Sequence, residues 1–383
     1  MTDDFAEIRE AVARLCADFP GRYWRDKDRA RAYPQEFVEA LSAAGYLAVL
    51  VPERYGGSGL GVAAASAVLE EIHKSGCNGA ACHAQMYTMG TLLKHGSDVQ
   101  KQEYLPQIAS GKLRLQAFGV TEPTSGTDTT RIRTTAVRDG DVYRISGQKV
   151  FISRTEHSDL MLLLARTTAR EQAAKPTDGM SVFIVDLRDA VDRGLTIKPL
   201  ATMMNHATTE LFFDNLPVPA ENLIGVEGKG FSYILDSMNA ERILIASECI
   251  GDARWFIAKA TAYAQERHVF GRPIGENQGV QFPIARAHVQ TEAAALMVAK
   301  AAAAFDADAK CGAEANMAKM LAADASKEAG DVCIQTHGGY GFAEEYDVER
   351  KFREARLYQV APVSTNLILS YVATHVLGMP KSF

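Results

Sequence analysis

The hydrophobic period of this chain changes twice, and that change constrains the fold more than any other feature. Up to about residue 116 the apolar residues recur at i, i+3 and i+4, as in EIREAVARLC, PQEFVEALSAAG and ASAVLEEIHKSG, which predicts amphipathic helices. Pro34 suits a first helical turn and Gly45 a helix end. Between about 117 and 220 the pattern becomes VYRISGQKVFIS, DLMLLLART, MSVFIVDL and TELFFDNLPV. These runs are rich in β-branched and aromatic residues and are punctuated by Gly, Asp and Asn, so they read as strands. From about 225 the helical period returns in longer runs: 240–267, 280–310, 313–339 and, after Ser364, TNLILSYVATHVL. Their alanine-rich faces permit the close approach of a bundle. The expected organisation is an α+β chain: an N-terminal all-α domain over 1–116, a middle β-barrel or sandwich domain over 117–222, and a C-terminal four-helix bundle over 223–383. At 383 residues the chain can bury two or three substantial cores.

Several readings are excluded or weakened. The formal net charge of −6 argues against a nucleic-acid or anionic-membrane surface. MTDDFAEIRE is acidic and polar rather than an apolar leader, and no run has the length of a membrane span; the expectation is a cytoplasmic protein. The six cysteines form no CxxC pair, so they read as buried thiols. Cys82-His83 lacks two further ligands at suitable spacing, so no metal is expected. The glycines of VPERYGGSGLG are spaced GxGxG, not GxGxxG, and no suitably placed acidic residue follows, so a dinucleotide loop is not indicated.

Three motifs then point one way. They are FGVTEPTSGTD (118–128) with GQKVFIS (147–153), ERHVFGRPIGENQGVQF (266–282), and QTHGGYGFAEEYDVERKFREARLYQ (335–359). In this order and spacing the chain resembles the acyl-CoA dehydrogenase family over essentially its whole length. The resemblance implies FAD as cofactor, held by its polar ring edge with one face open to substrate. It implies flavin contacts from Phe118, Val120, Thr121, Phe151 and Ser153, completed by Ser364 and Asn366. It further implies that Arg267, Phe270, Gln278, Gln335, Gly338 and Gly339 meet the FAD of a neighbouring subunit. Such sharing implies a homo-oligomer, a dimer of dimers. On residue chemistry alone, a strand carrying an aromatic and a hydroxyl is ordinary, as is a Gly-Gly turn beside an arginine.

The implied reaction is α,β-dehydrogenation of an acyl-CoA to the trans-2-enoyl-CoA, with electrons passed to an electron-transfer flavoprotein. It needs a buried carboxylate to take the α-proton. The family's usual position for that group, in LYQVAPVSTN, holds Pro362, and no Asp or Glu follows Glu354. A subset of the family carries its base on the first long helix of the bundle, where Glu241 of MNAERILIA matches. The plainer reading of Glu241-Arg242 is a surface pair at a helix start. Pro362 also lacks the backbone N–H that polarises the thioester carbonyl in the family; one such donor is worth roughly 3 kcal/mol. The Val363 amide or a water would have to replace it.

The resemblance places Thr127 near the CoA pantetheine, Asn239 and Arg242 beside the substrate, and HAQMYTMGTLL (83–93) along the acyl pocket. There the bulk of Met86, Tyr87 and Met89 leans toward a medium or branched acyl chain. Two other readings use the same fold. A flavin monooxygenase or oxidase needs no α-proton base. A non-catalytic flavoprotein that binds DNA is disfavoured by the acidic charge.

Overall fold

The computed structural model describes residues 5–381; the acidic opening MTDD and Ser382–Phe383 lie outside them. Six helices come first: α1 (Ala6–Ala17), α2 (Gly21–Ala30), α3 (Gln35–Ala43), α4 (Val62–Lys74), α5 (His83–His95) and α6 (Asp98–Ala109). Gly45 follows α3 at φ +79°, the left-handed position that glycine fills without a Cβ penalty. VPERYGGSGLG forms turns between α3 and α4.

Eight strands follow: β1 (Leu115–Gly119), β2 (Thr135–Asp139), β3 (Val142–Ser153), β4 (Leu160–Arg166), β5 (Met180–Asp186), β6 (Leu195–Pro199), β7 (Thr208–Pro219) and β8 (Leu223–Ile224). They join in one sheet in the order β6-β7-β3-β2-β4-β5-β8, with β1 parallel to β4. Residues 160–165, LMLLLA, are apolar throughout because β4 is buried on both faces. Leu160, Leu162 and Leu164 face α5 and α6, while Met161, Leu163 and Ala165 face the interior of the curved sheet with Tyr143, Phe183 and Phe213.

The bundle comprises α7 (Gly230–Glu266), α8 (Gln278–Asp306), α9 (Gly312–His337), α10 (Val348–Ala355) and α11 (Thr365–Tyr371); a two-residue hairpin, β9 (His268–Val269) with β10 (Arg272–Pro273), joins α7 to α8. Helix α7 starts ten residues before AERIL. Asp236, Ser237 and Asn239 interrupt the apolar period there and compete locally for backbone hydrogen bonds, which hides the helix in sequence. Helix α10 was not foreseen either: VERKFREA is mostly charged, and its buried Arg350, Lys351 and Glu354 are satisfied by ion pairs rather than by apolar packing.

Helices of the two ends share one core. Val12, Phe37, Val68, Leu69 and Met86 pack with Ile243, Leu244, Val298, Ala318 and Tyr358. Helix α4 comes so close to α7 that a Cβ on Gly251 would lie 2.3 Å from the Glu70 carbonyl oxygen.

Candidate active site

Glu241 lies well inside α7, not at a helix start, and only 7% of it is exposed. The surface-pair reading therefore does not hold. Burial pushes its carboxyl up to about 7, against the opposing pull of the Arg242 guanidinium and the Tyr87 phenol. Arg242 donates to the Asn239 side-chain oxygen at 2.9 Å, one turn back on the same helix. Glu241 and Tyr87 thus meet where α5 packs on α7, with the Arg242–Asn239 pair beside Glu241 on α7.

The opposite wall is the strip after α10. A 3-10 turn at Arg356–Gln359 gives way to irregular chain through Val363, and the Ala361–Pro362 peptide is cis. Lys319 of α9, fully buried, donates to the carbonyls of Tyr358 (2.6 Å) and Val363 (2.7 Å). The lysine thus clamps both ends of the segment around Pro362. The Ser364 hydroxyl caps α11 by accepting from the Leu367 N–H, and Asn366 faces solvent.

On the sheet side, Lys149 is buried with its ammonium donating to the Val120 carbonyl (2.9 Å) and the Glu122 carboxylate (2.9 Å). Glu122 also accepts from the N–H groups of Arg133 and Thr134, and the Val150 N–H donates to the Thr121 carbonyl. The FGVTEP turn is therefore pinned against β3. At the end of β3, Phe151 and Arg154 both adopt positive φ (+59° and +62°). An aromatic residue in the left-handed region is strained, and such strain clusters at functional positions. Phe151 is also 63% exposed, with Phe118 and Ser153 half-buried nearby and Thr127 open to solvent.

A separate open cleft of about 650 Å³ is lined by Tyr263, Arg267, Val269, Gly338, Gly339 and Tyr340. A Cβ at Gly338 or Gly339 would meet nothing. Gln278 and Gln335 are exposed, and Phe270 is fully exposed at positive φ. Arg267 is 26 residues beyond Glu241 on α7, or about 39 Å at 1.5 Å per residue. Within one chain these two groups of candidate residues are not brought together.

Sequence reasoning missed Lys319, Lys149, Glu122 and Glu248, and it met His83 only as an incomplete metal pair and as the start of the stretch along the acyl pocket. A signal existed: Lys319 interrupts an alanine stripe at 315, 318, 322 and 323, and Glu248 interrupts ILIASECIGDA. A charge on an otherwise apolar helix face needs a buried partner. Among the described residues no group of His, Cys, Asp or Glu is arranged to hold a metal, and no helix is long and apolar enough to cross a membrane.

Comparison with known proteins fits this architecture. The acyl-CoA dehydrogenase N-terminal, middle and C-terminal domain families match residues 2–112, 117–216 and 228–377. The chain is 36% identical over 379 residues (98% of it, 96% of the relative) to acyl-CoA dehydrogenase FadE12 of Mycobacterium bovis. It is 32% identical over 364 residues (93% and 94%) to the caffeyl-CoA reductase-Etf complex subunit CarC of Acetobacterium woodii. It superposes with a TM-score of 0.92, at 30% identity and covering 100% and 97% of the two chains, on a glutaryl-coenzyme A dehydrogenase in its glutaryl-CoA complex. The chain belongs to the acyl-CoA dehydrogenase family, whose enzymes are FAD-dependent flavoprotein oxidoreductases.

Proposed function

We propose that the chain dehydrogenates an acyl-CoA thioester between its α- and β-carbons, with Glu241 as the α-proton base. The carrying observation is a buried carboxylate raised to about 7, in a chain whose strip at Pro362 offers none. Pinned by Lys149, the FGVTEP turn offers a rigid edge to a flavin ring, and Phe151 offers an uncovered aromatic face beside it. FAD supplies the hydride acceptor when bound. The chain's own part is to hold the thioester between α5, α7 and the Lys319-clamped strip, to exclude water, and to accept the α-proton on the Glu241 carboxylate.

The cleft at Arg267 and Gly338-Gly339 suits a phosphate group, with a guanidinium and unobstructed backbone. Its distance of about 39 Å from Glu241 supports assigning it to a neighbouring subunit's cofactor. Helix α8 leaves Phe282, Val289 and Leu296 exposed at seven-residue intervals, an apolar stripe that fits a homo-oligomer. An electron-transfer flavoprotein as acceptor fits the Etf-complex relative. The test is anaerobic titration of the flavoprotein with a panel of acyl-CoAs. Bleaching of the flavin by one of them, with slow reoxidation in air, is the expected result. Rapid reoxidation by O2 would instead mark an oxidase.

Two further outcomes are expected. The base must be ionised in the free enzyme, so kcat/KM rises with pH and levels off above about 7; a plateau already reached at the ordinary carboxylate range would remove Glu241 from the role. Phe151→Gly relieves left-handed strain of roughly 1–2 kcal/mol while deleting the ring. Denaturant midpoints of the apoprotein should hold or rise, while FAD affinity drops. Unchanged affinity would mean that the ring does not touch the cofactor.

A further inference from the structure

Helices α5 and α7 run antiparallel and meet along a polar seam. Every fourth residue of α5 faces a polar residue of α7. His83 Nδ1 lies 2.8 Å from Glu248 Oε1, Tyr87 faces Glu241, Thr91 Oγ1 lies 2.5 Å from Ser237 Oγ, and His95 Nε2 lies 2.7 Å from Asp236 Oδ2. The pairs at 91 and 95 are closed. The other end is not. Glu241, Tyr87 and His83 are 7%, 5% and 3% exposed deep between the helices, so they border an internal space. The Tyr87 hydroxyl turns its proton toward the Glu241 carboxylate and keeps its lone pairs, and among the described residues His83 Nε2 meets no hydrogen bond of ordinary geometry.

The hydrogen-bonding sense of His83 follows from its partner. Burial opposes ionisation of Glu248, but His83, His73 and Tyr358 outweigh it and hold the carboxyl below its usual range. Tyr358 donates its hydroxyl to Glu248 Oε2 at 2.9 Å. Burial keeps His83 neutral. Nδ1 therefore carries the proton it gives to Glu248, and Nε2 presents a lone pair to the space.

We propose that the acyl pocket is built for a chain bearing a hydroxyl beyond its β-carbon, read by His83 Nε2 and the Tyr87 hydroxyl. This rests on the dehydrogenase reading, which sets the α-carbon beside Glu241. Tyr87 then meets the chain close to the reacting carbons, and His83 meets it one helical turn, about 6 Å, deeper. A plain alkyl tail leaves His83 Nε2 desolvated and unpaired and gives the Tyr87 oxygen no donor. A carboxylate tail meets Glu241 and Glu248. The cation nearby, Arg154, donates to the Ala80 carbonyl and lies 3.4 Å from His206, and its Nε, which has no partner, is closed off from solvent. A neutral donor satisfies the wall without a second charge.

The test is calorimetric binding of hexanoyl-CoA, 4-, 5- and 6-hydroxyhexanoyl-CoA and adipyl-CoA to the FAD-loaded protein, run beside anaerobic bleaching. One hydroxyhexanoyl-CoA should bind about tenfold more tightly than hexanoyl-CoA, and adipyl-CoA more weakly than either. Tyr87→Phe and His83→Phe should each bring the hydroxyhexanoyl-to-hexanoyl ratio toward one. Tyr87→Phe keeps the packing, so it remains informative if the His83 variant fails to fold. Equal binding of hexanoyl-CoA, tightest binding of adipyl-CoA, or a ratio that survives Tyr87→Phe would overturn the proposal. A hydroxyl preference without bleaching supports this pocket and removes dehydrogenation at Glu241; bleaching by hexanoyl-CoA without the preference does the reverse.

Discussion

Glutamine at position 241 should leave acyl-CoA binding in place and stop flavin reduction. The side chain keeps its shape and loses its ability to take a proton, so the expected fall in the reductive rate is roughly 10²–10⁴-fold. No neighbour can step in. Glu248, two turns along the same helix, is closed by His83 and Tyr358, and the strip at Pro362 has no carboxylate. Stopped-flow reduction by the best acyl-CoA measures the rate, and the spectral perturbation of bound flavin by a non-reacting thioester analogue measures binding separately. Glu241→Asp should recover part of the rate, because the carboxylate returns but sits one methylene short. A Glu241→Gln protein that reduces its flavin at the parental rate would move the base elsewhere and leave the burial of Glu241 without a functional reason.

The largest stability effect should come from Asp252→Ala. Asp252 and Lys351 are both wholly buried and form a close ion pair, and His73 Nδ1 donates to the same carboxylate at 2.9 Å. His73 Nε2 accepts from the Gly79 N–H, which fixes its proton on Nδ1. Removing Asp252 leaves the Lys351 ammonium with only the Cys77 carbonyl at 3.2 Å and Glu354 at 3.7 Å. Breaking a buried pair from one side costs about 3–5 kcal/mol. Chemical denaturation should show a clearly lower midpoint. Replacing both partners by apolar residues, Asp252→Leu with Lys351→Met, should recover most of the loss, because no charge is then stranded. Equal midpoints for parent and Asp252→Ala would show that the pair carries no stability.

The order of helical, strand and helical segments was legible because hydrophobic period is a local property. DLMLLLART was legible as a strand, while its burial on both faces came only with the packing of the sheet. What stayed hidden depends on partners distant in sequence. Lys319 reads as a helix-surface lysine until the carbonyls of Tyr358 and Val363 are found around it. His83 and Glu248 are 165 residues apart, and neither residue type announces the other. Glu241 could be singled out through the family likeness, but its burial among Tyr87, Asn239 and Arg242 required the packing of α5 on α7. Pro362 was readable as an absent carboxylate. The clamp that holds its segment was not.

The core shared by α1, α3, α4 and α5 with α7, α8 and α9 also has a consequence for synthesis. The first helices leave the ribosome with apolar faces whose main partners begin at Ala240 and end near Ala323, with the entire sheet still to be made in between. At roughly 5–20 residues per second, those faces wait for many seconds. The sheet, whose own interior closes with β7 and β8, can finish first. The nascent chain therefore passes through a stage in which a folded middle, with α5 and α6 able to dock on it, is preceded by α1, α3 and α4 still lacking their main partners, and that interval is when a chaperone or a protease has access to them.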